Sequence, residues 1–126
     1  MNARHILVVE DDDTNREGLR TLLELWGHRV DEAATGVRAV EIALAHKPDV
    51  VLLDIGLPDL NGYEVAKRIQ RAPGAATPIL IALTGYGELD AATDARFDTH
   101  VLKPVDCDAL KELMATMPSA GRVERE

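Results

Sequence analysis

Short, unbroken apolar runs alternate along this chain with stretches whose apolar residues recur at helical spacing. The clearest runs are His5-Ile6-Leu7-Val8-Val9, Val50-Val51-Leu52-Leu53 and Pro78-Ile79-Leu80-Ile81-Ala82-Leu83, and short strands are also expected around Arg29–Ala33 and His100–Leu102. Unbroken rather than alternating runs suit strands buried on both faces, as in a parallel sheet covered by helices. After the first run, Leu19, Leu22, Leu23 and Trp26 predict a helix that Gly27 stops, with Thr14 and Glu17 spaced as a capping box. Val37, Val40 and Leu44 predict a second helix ending before Pro48, and Val65, Ala66 and Ile69 a third, after the turn-rich Leu57-Pro58-Asp59-Leu60-Asn61-Gly62. Leu89, Ala92 and Ala95 give only a weak apolar face to a helix within 88–97, while Leu110, Leu113, Met114 and Met117 mark a last one. This βαβ rhythm predicts a three-layer, doubly wound α/β fold. One domain is expected over 1–117, followed by a flexible tail over 118–126 that lacks apolar periodicity.

Composition narrows the setting. The chain has 126 residues, 46% of them hydrophobic, enough for a single core. A net charge of −8 argues against a nucleic-acid-binding surface, which needs clustered Lys and Arg. Cys107 is the sole cysteine, so an internal disulfide is impossible and a reducing compartment fits. There is no signal-peptide pattern and no apolar run of about eighteen residues. The expectation is a soluble, cytoplasmic protein with no direct membrane contact.

The chemistry gathers where apolar runs end. The first runs into Glu10-Asp11-Asp12-Asp13, the third ends on Asp54 before Ile55-Gly56-Leu57-Pro58, the fourth on Thr84-Gly85 and the fifth on Lys103-Pro104. Parallel strands bring their carboxyl ends to one edge, where α/β sheets place their sites. Carboxylates crowded there cannot all stay ionised unless a cation joins them or a pKa rises. Mg²⁺, a hard, oxygen-seeking ion, answers that need, and Gly56 lets a backbone carbonyl face it. A carboxylate can also act as a nucleophile toward phosphorus, while a hydroxyl and an ammonium stabilise the equatorial oxygens. Taken singly, a strand-end Asp is usually a turn former or a helix cap, and a Lys-Pro a loop. Four such groups, each closing an apolar strand, are hard to assign to turn chemistry alone.

These stretches resemble the receiver domain of response regulators in two-component signalling. The resemblance is carried by Ile6-Leu7-Val8-Val9-Glu10-Asp11-Asp12, Asp49-Val50-Val51-Leu52-Leu53-Asp54-Ile55-Gly56-Leu57-Pro58, Asn61-Gly62, Ala82-Leu83-Thr84-Gly85 and Lys103-Pro104, and covers roughly 4–117. It implies a flavodoxin-like (βα)5 fold with sheet order 2-1-3-4-5, an order for which a receiver domain is a standard example. It implies Asp54 as phosphoacceptor, Asp11 as a direct Mg²⁺ ligand, Glu10 acting through water, and Gly56 giving its carbonyl. Thr84 and Lys103 would bind the phosphoryl oxygens, and the Lys103-Pro104 bond would be cis. His100 takes the place of a switch aromatic, and Gly85, Tyr86 and Pro104 complete the switch and tuning positions. The phosphodonor would be a sensor histidine kinase or a histidine phosphotransfer protein, with the domain a monomer or weak dimer and not an enzyme in its own right. His100, Ala82-Leu83-Thr84-Gly85-Tyr86-Gly87 and Val105-Asp106 resemble receivers of hybrid sensor kinases in particular.

From Thr84 to Lys103 the chain is shorter than family members usually are, which predicts a short or irregular fourth helix over 88–97. Asp12 and Asp13 have no family role and read as helix-capping charges. His5, His28, His46 and His100 are scattered without ligand spacing and read as surface or strand-end histidines. Arg4, Arg16, Arg20 and Arg38 read as solvated helix faces and Cys107 as a small packing residue; Gly85-Tyr86-Gly87 is half of a dinucleotide fingerprint, but it follows the fourth strand and lacks the rest. Three other functions compete. An aspartyl-phosphate phosphohydrolase typically has a second Asp two positions after the nucleophile, where Gly56 stands. A flavodoxin-type carrier needs a phosphate loop where Glu10-Asp11-Asp12-Asp13 would repel the ligand. A docking module that works without phosphorylation is the remaining alternative.

Overall fold

A computed structural model describes residues 3–57, 59, 62–71, 78–85 and 97–116. Within them the order is β1 His5–Val9, α1 Asp13–Leu25, β2 Arg29–Ala33, α2 Gly36–His46, β3 Val50–Asp54, α3 Gly62–Gln70, β4 Ile79–Thr84, β5 Thr99–Leu102 and a C-terminal helix, α4, Cys107–Thr116. The helix expected over 88–97 and the tail over 118–126 fall outside the described residues, Phe97 excepted.

All strand pairs are parallel, in the order β2-β1-β3-β4-β5. Every residue of β3 and β4 is buried, whereas the edge strands β2 and β5 are mostly half-buried. Side-chain alternation divides the interior in two. Ile6, Val8, Val50, Leu52, Ile79, Ile81 and Leu83 face Leu19 and Leu23 of α1 and Leu110 and Met114 of α4. Leu7, Val9, Val51, Leu53 and Leu80 face α2 and α3. The chain steps one way from β1 to β2 and the other way from β1's far side through β3, β4 and β5. That reversal puts α1 and α2 on opposite faces and leaves a crevice at the carboxyl ends of β1 and β3.

Two local readings need correction. The N-cap of α1 is Asp12, whose side chain accepts from the Asn15 amide at 2.9 Å, so the Thr14–Glu17 capping box does not form. Asp13 lies in the first turn, where the helix dipole favours it. In α2 the apolar positions Val37 and Leu44 are 48% and 45% exposed; Gly36, Ala39, Ile42 and Ala43 face the sheet instead. Gly36, Ala39 and Ala43 let α2 approach closely, with Ile42 the large residue against the sheet. The stop at Gly27 holds: its φ is +97°, His28 N–H donates to the Leu23 carbonyl and Gly27 N–H to that of Glu24, closing a Schellman motif.

Candidate functional site

Val9 and Leu53 are paired in register, so the residues that follow them, Glu10 and Asp54, leave the sheet side by side. Both are buried, at 2% and 4% exposure, while Asp11 is exposed. Oxygens of Glu10, Asp11 and Asp54 lie within 4.8 Å of one another. Lys103 reaches in from the end of β5, its Nζ 3.1 Å from Asp54 Oδ2 and 3.3 Å from Glu10 Oε1. Asp54 Oδ1 accepts the Gly56 amide at 3.0 Å. Thr84, one position beyond the Asp54–Leu83 pair, is fully buried, and its hydroxyl has no hydrogen-bond partner among the described residues. The Lys103 amide donates to the Thr84 carbonyl at 2.7 Å, and the Lys103-Pro104 peptide is cis.

Electrostatics follow from this crowding. Burial raises the Glu10 pKa, the Asp12 amide opposes that, and the neighbouring Asp54 charge adds to the rise. For Lys103, burial works against the charge, but the hydrogen bond and attraction to Asp54, with Glu10 behind them, prevail and the pKa is raised. Three carboxylates therefore face one ammonium. The donor set is all oxygen and short of positive charge, which fits Mg²⁺.

Of the positions singled out in the sequence, Glu10, Asp11, Asp54, Gly56, Thr84 and Lys103 come together at this edge, with Gly85 half-buried and Pro104 exposed beside them. His100 pairs with Ala82 in register and is exposed on the outer strand. Tyr86 lies outside the described residues.

Several supporting residues escaped the sequence reading. Arg16 donates to the Glu10 carbonyl at 2.9 Å while holding Asp13 and Glu32, so it steadies the acidic loop rather than facing solvent. Asp59 accepts the Gly36 and Val37 amides, tying the loop after β3 to the start of α2. A Cβ on Gly62 would stand 2.9 Å from Ile55 Cα and 3.3 Å from the Asp54 carbonyl, so only glycine lets α3 start this close to the acceptor. The Asn61-Gly62 dipeptide was the available signal, but its reason is packing. Arg4 is buried and donates to the Met114 carbonyl at 2.7 Å; it is a tether between β1 and α4, not a solvated charge. The histidines are not all scattered either. His5 and His46 both bond Asp31, at the sheet's opposite end.

A groove of about 680 Å³ begins at Glu10 and Lys103 and runs past Leu19, Leu22 and Val105. Among the described residues no helix is long and apolar enough to cross a membrane.

Comparison with known proteins agrees with this geometry. The family model described as the response regulator receiver domain matches residues 6–115. Response regulator MprA of a Mycobacterium species (strain KMS) is 40% identical over 114 residues, 89% of this chain and 48% of that protein. The chain thus spans about half the length of the curated relatives it matches. A CheY-like receiver domain from Methylobacillus flagellatus superposes with a TM-score of 0.82 at 27% identity, covering 91% of this chain and 98% of that one. The receiver domain of a Pseudomonas aeruginosa sensor histidine kinase, solved with a magnesium ion coordinated in its active-site cleft, gives 0.81 at 28% identity, over 90% and 95%.

Proposed function

We propose the function that follows from the chain's family: it belongs to the response regulator receiver domains, and we assign it the role of a Mg²⁺-dependent phosphorelay switch with Asp54 as acceptor. The observation that carries this reading is the Asp54 carboxylate held between Lys103 and the Gly56 amide, with the buried Thr84 hydroxyl, which has no partner among the described residues, nearby.

In the proposed reaction an Asp54 oxygen attacks the phosphorus of a phosphohistidine on the donor protein. The P–N bond breaks, the imidazole leaves with its electron pair, and an aspartyl phosphate forms. Glu10, Asp11, Asp54 and the Gly56 carbonyl would hold Mg²⁺, which neutralises charge on the transferring group. Lys103 keeps the acceptor loop and the β5 end together before transfer and offers its ammonium to a phosphoryl oxygen afterwards. Thr84 offers its hydroxyl to another, and that demand is the switch. A new charge of about −1.5 to −2 draws on a residue whose own strand is paired to β5 beside His100. Gly85 and Pro104 border this movement, and the family resemblance implies that Gly56 and Tyr86 tune the access of the water that later hydrolyses the phosphate. The domain performs this chemistry on itself and is not an enzyme toward other substrates.

The donor is a sensor histidine kinase or a histidine phosphotransfer protein, seated over the groove that opens on Glu10 and Lys103. Residues 1–117 form the working unit, monomeric or weakly dimeric, cytoplasmic and without nucleic-acid contacts of its own. The test is intact mass after incubation with Mg²⁺ and acetyl phosphate. One added phosphoryl group in the wild type, absent with chelator and absent in Asp54→Asn, is expected. No adduct on a folded, Mg²⁺-binding protein would overturn the proposal in favour of a docking module.

A further inference from the structure

The far end of the sheet carries a second constellation. His5 opens β1, and Asp31 lies on β2 two positions beyond Arg29, the residue paired with His5. The two side chains are diagonal neighbours on one face of the sheet. His46, the last residue of α2, comes down on that same face. One oxygen, Asp31 Oδ2, bonds His5 Nε2 at 2.7 Å and His46 Nδ1 at 2.9 Å, and the rings are stacked with centroids 6.4 Å apart. Burial raises the Asp31 pKa, but the bonds from His46 and His5 outweigh it, so the carboxylate is ionised at neutral pH. His5 precedes Glu10 by the length of β1, about 16 Å at ~3.3 Å per residue, so this cluster is separate from the acceptor site.

We propose that His5, Asp31 and His46 form a site for a divalent, imidazole-preferring transition-metal ion, Zn²⁺ foremost. Two imidazoles and a carboxylate are a donor set for such ions, not for Mg²⁺ or Ca²⁺. All three ligand atoms already lie within 4.8 Å of one another. Tetrahedral ligands at about 2.0–2.1 Å from Zn²⁺ stand about 3.3 Å apart, so the cluster must open by roughly half an ångström. His46, with half its side chain exposed, can make that adjustment. The His5 main chain is held in place, because Asp49 accepts its amide at 2.9 Å and donates to its carbonyl at 2.7 Å. The carboxyl end of α2 adds its dipole in favour of a cation, and the exposed side of His46 leaves a position for water. The bound ion would pin α2 to β1 and β2.

The test is Zn²⁺ titration of the full chain by calorimetry in excess Mg²⁺, which occupies the acidic edge, on a Cys107→Ser background that removes the exposed thiol. One equivalent bound is expected, weakened at least about tenfold in His46→Ala, since even outer partners of a metal site are worth that much. Zn²⁺ should also raise the Tm of the parent more than that of His46→Ala at the same concentration. Because His46 is exposed, this variant keeps the fold. Unchanged affinity in His46→Ala, or no binding once Mg²⁺ is present, would overturn the proposal.

Discussion

Gly62 shows how much of this site depends on one missing atom. A methyl group there would meet Ile55 Cα and Cδ1 at 2.9 Å, next to the acceptor, and backbone cannot yield as a flexible side chain does. Gly62→Ala should therefore destabilise the fold by about 1–3 kcal/mol, the usual range for overpacking, and slow phosphorylation of Asp54. Urea unfolding and acetyl phosphate kinetics check the two effects. A second residue sets a pH response. His28 accepts the Arg4 amide at 3.0 Å, and its pKa is pushed below the usual 6.5, first by burial and then by the Arg4 charge. The unfolded chain then takes up a proton at a higher pH than the folded one does. Stability from this group is complete above 6.5 and falls as pH drops from there toward the lowered pKa. Unfolding midpoints measured between about pH 7.5 and 5.5 should decline, and less steeply in His28→Gln, which removes the titrating group.

Among the elements, α2 separates what periodicity shows from what packing requires. Val37, Val40 and Leu44 define an apolar stripe in the sequence, yet Val37 and Leu44 stand outside and Ile42, 6% exposed, is the large residue against the sheet. Ile42→Ala should cost about 2–5 kcal/mol, and Val37→Ser less than about 0.5 kcal/mol, by chemical denaturation. Equal losses would contradict the orientation of the helix. The central strand was easier to read, because burial on both faces writes itself as an unbroken run, and Val50–Asp54 has the expected bounds; the half-buried edge strand Arg29–Ala33 also has its expected bounds, without such a run. The cap of α1 was read in part: Asp12 and Asp13 do serve as capping and first-turn charges, while Thr14 also suits an N-terminus and only the backbone rules out its capping box with Glu17.

For the whole molecule, the sheet order turns strand-end residues into a site. Glu10, Asp54, Thr84 and Lys103 could be chosen from the sequence because each closes a strand, and parallel pairing in register then brings them to one edge. What stayed hidden depends on contacts remote in sequence. Arg4 is buried because its guanidinium finds the Met114 carbonyl. The His5–Asp31–His46 cluster requires the β1–β2 register and the return of α2 together. Nothing in the spacing of those residues shows either. The same topology leaves one end of the sheet rich in carboxylates and the other with imidazoles, so the two proposed ion sites differ in the metals they select.

The central claim is that Asp54, among all the carboxylates of this chain, becomes the acyl phosphate. The most direct measurement is borohydride reduction after acetyl phosphate and Mg²⁺ treatment, which converts an aspartyl phosphate to homoserine, followed by peptide mass mapping. Homoserine at position 54 alone, formed only with Mg²⁺, is the predicted result. Homoserine at another aspartate, or none in a protein that binds Mg²⁺, would contradict the account.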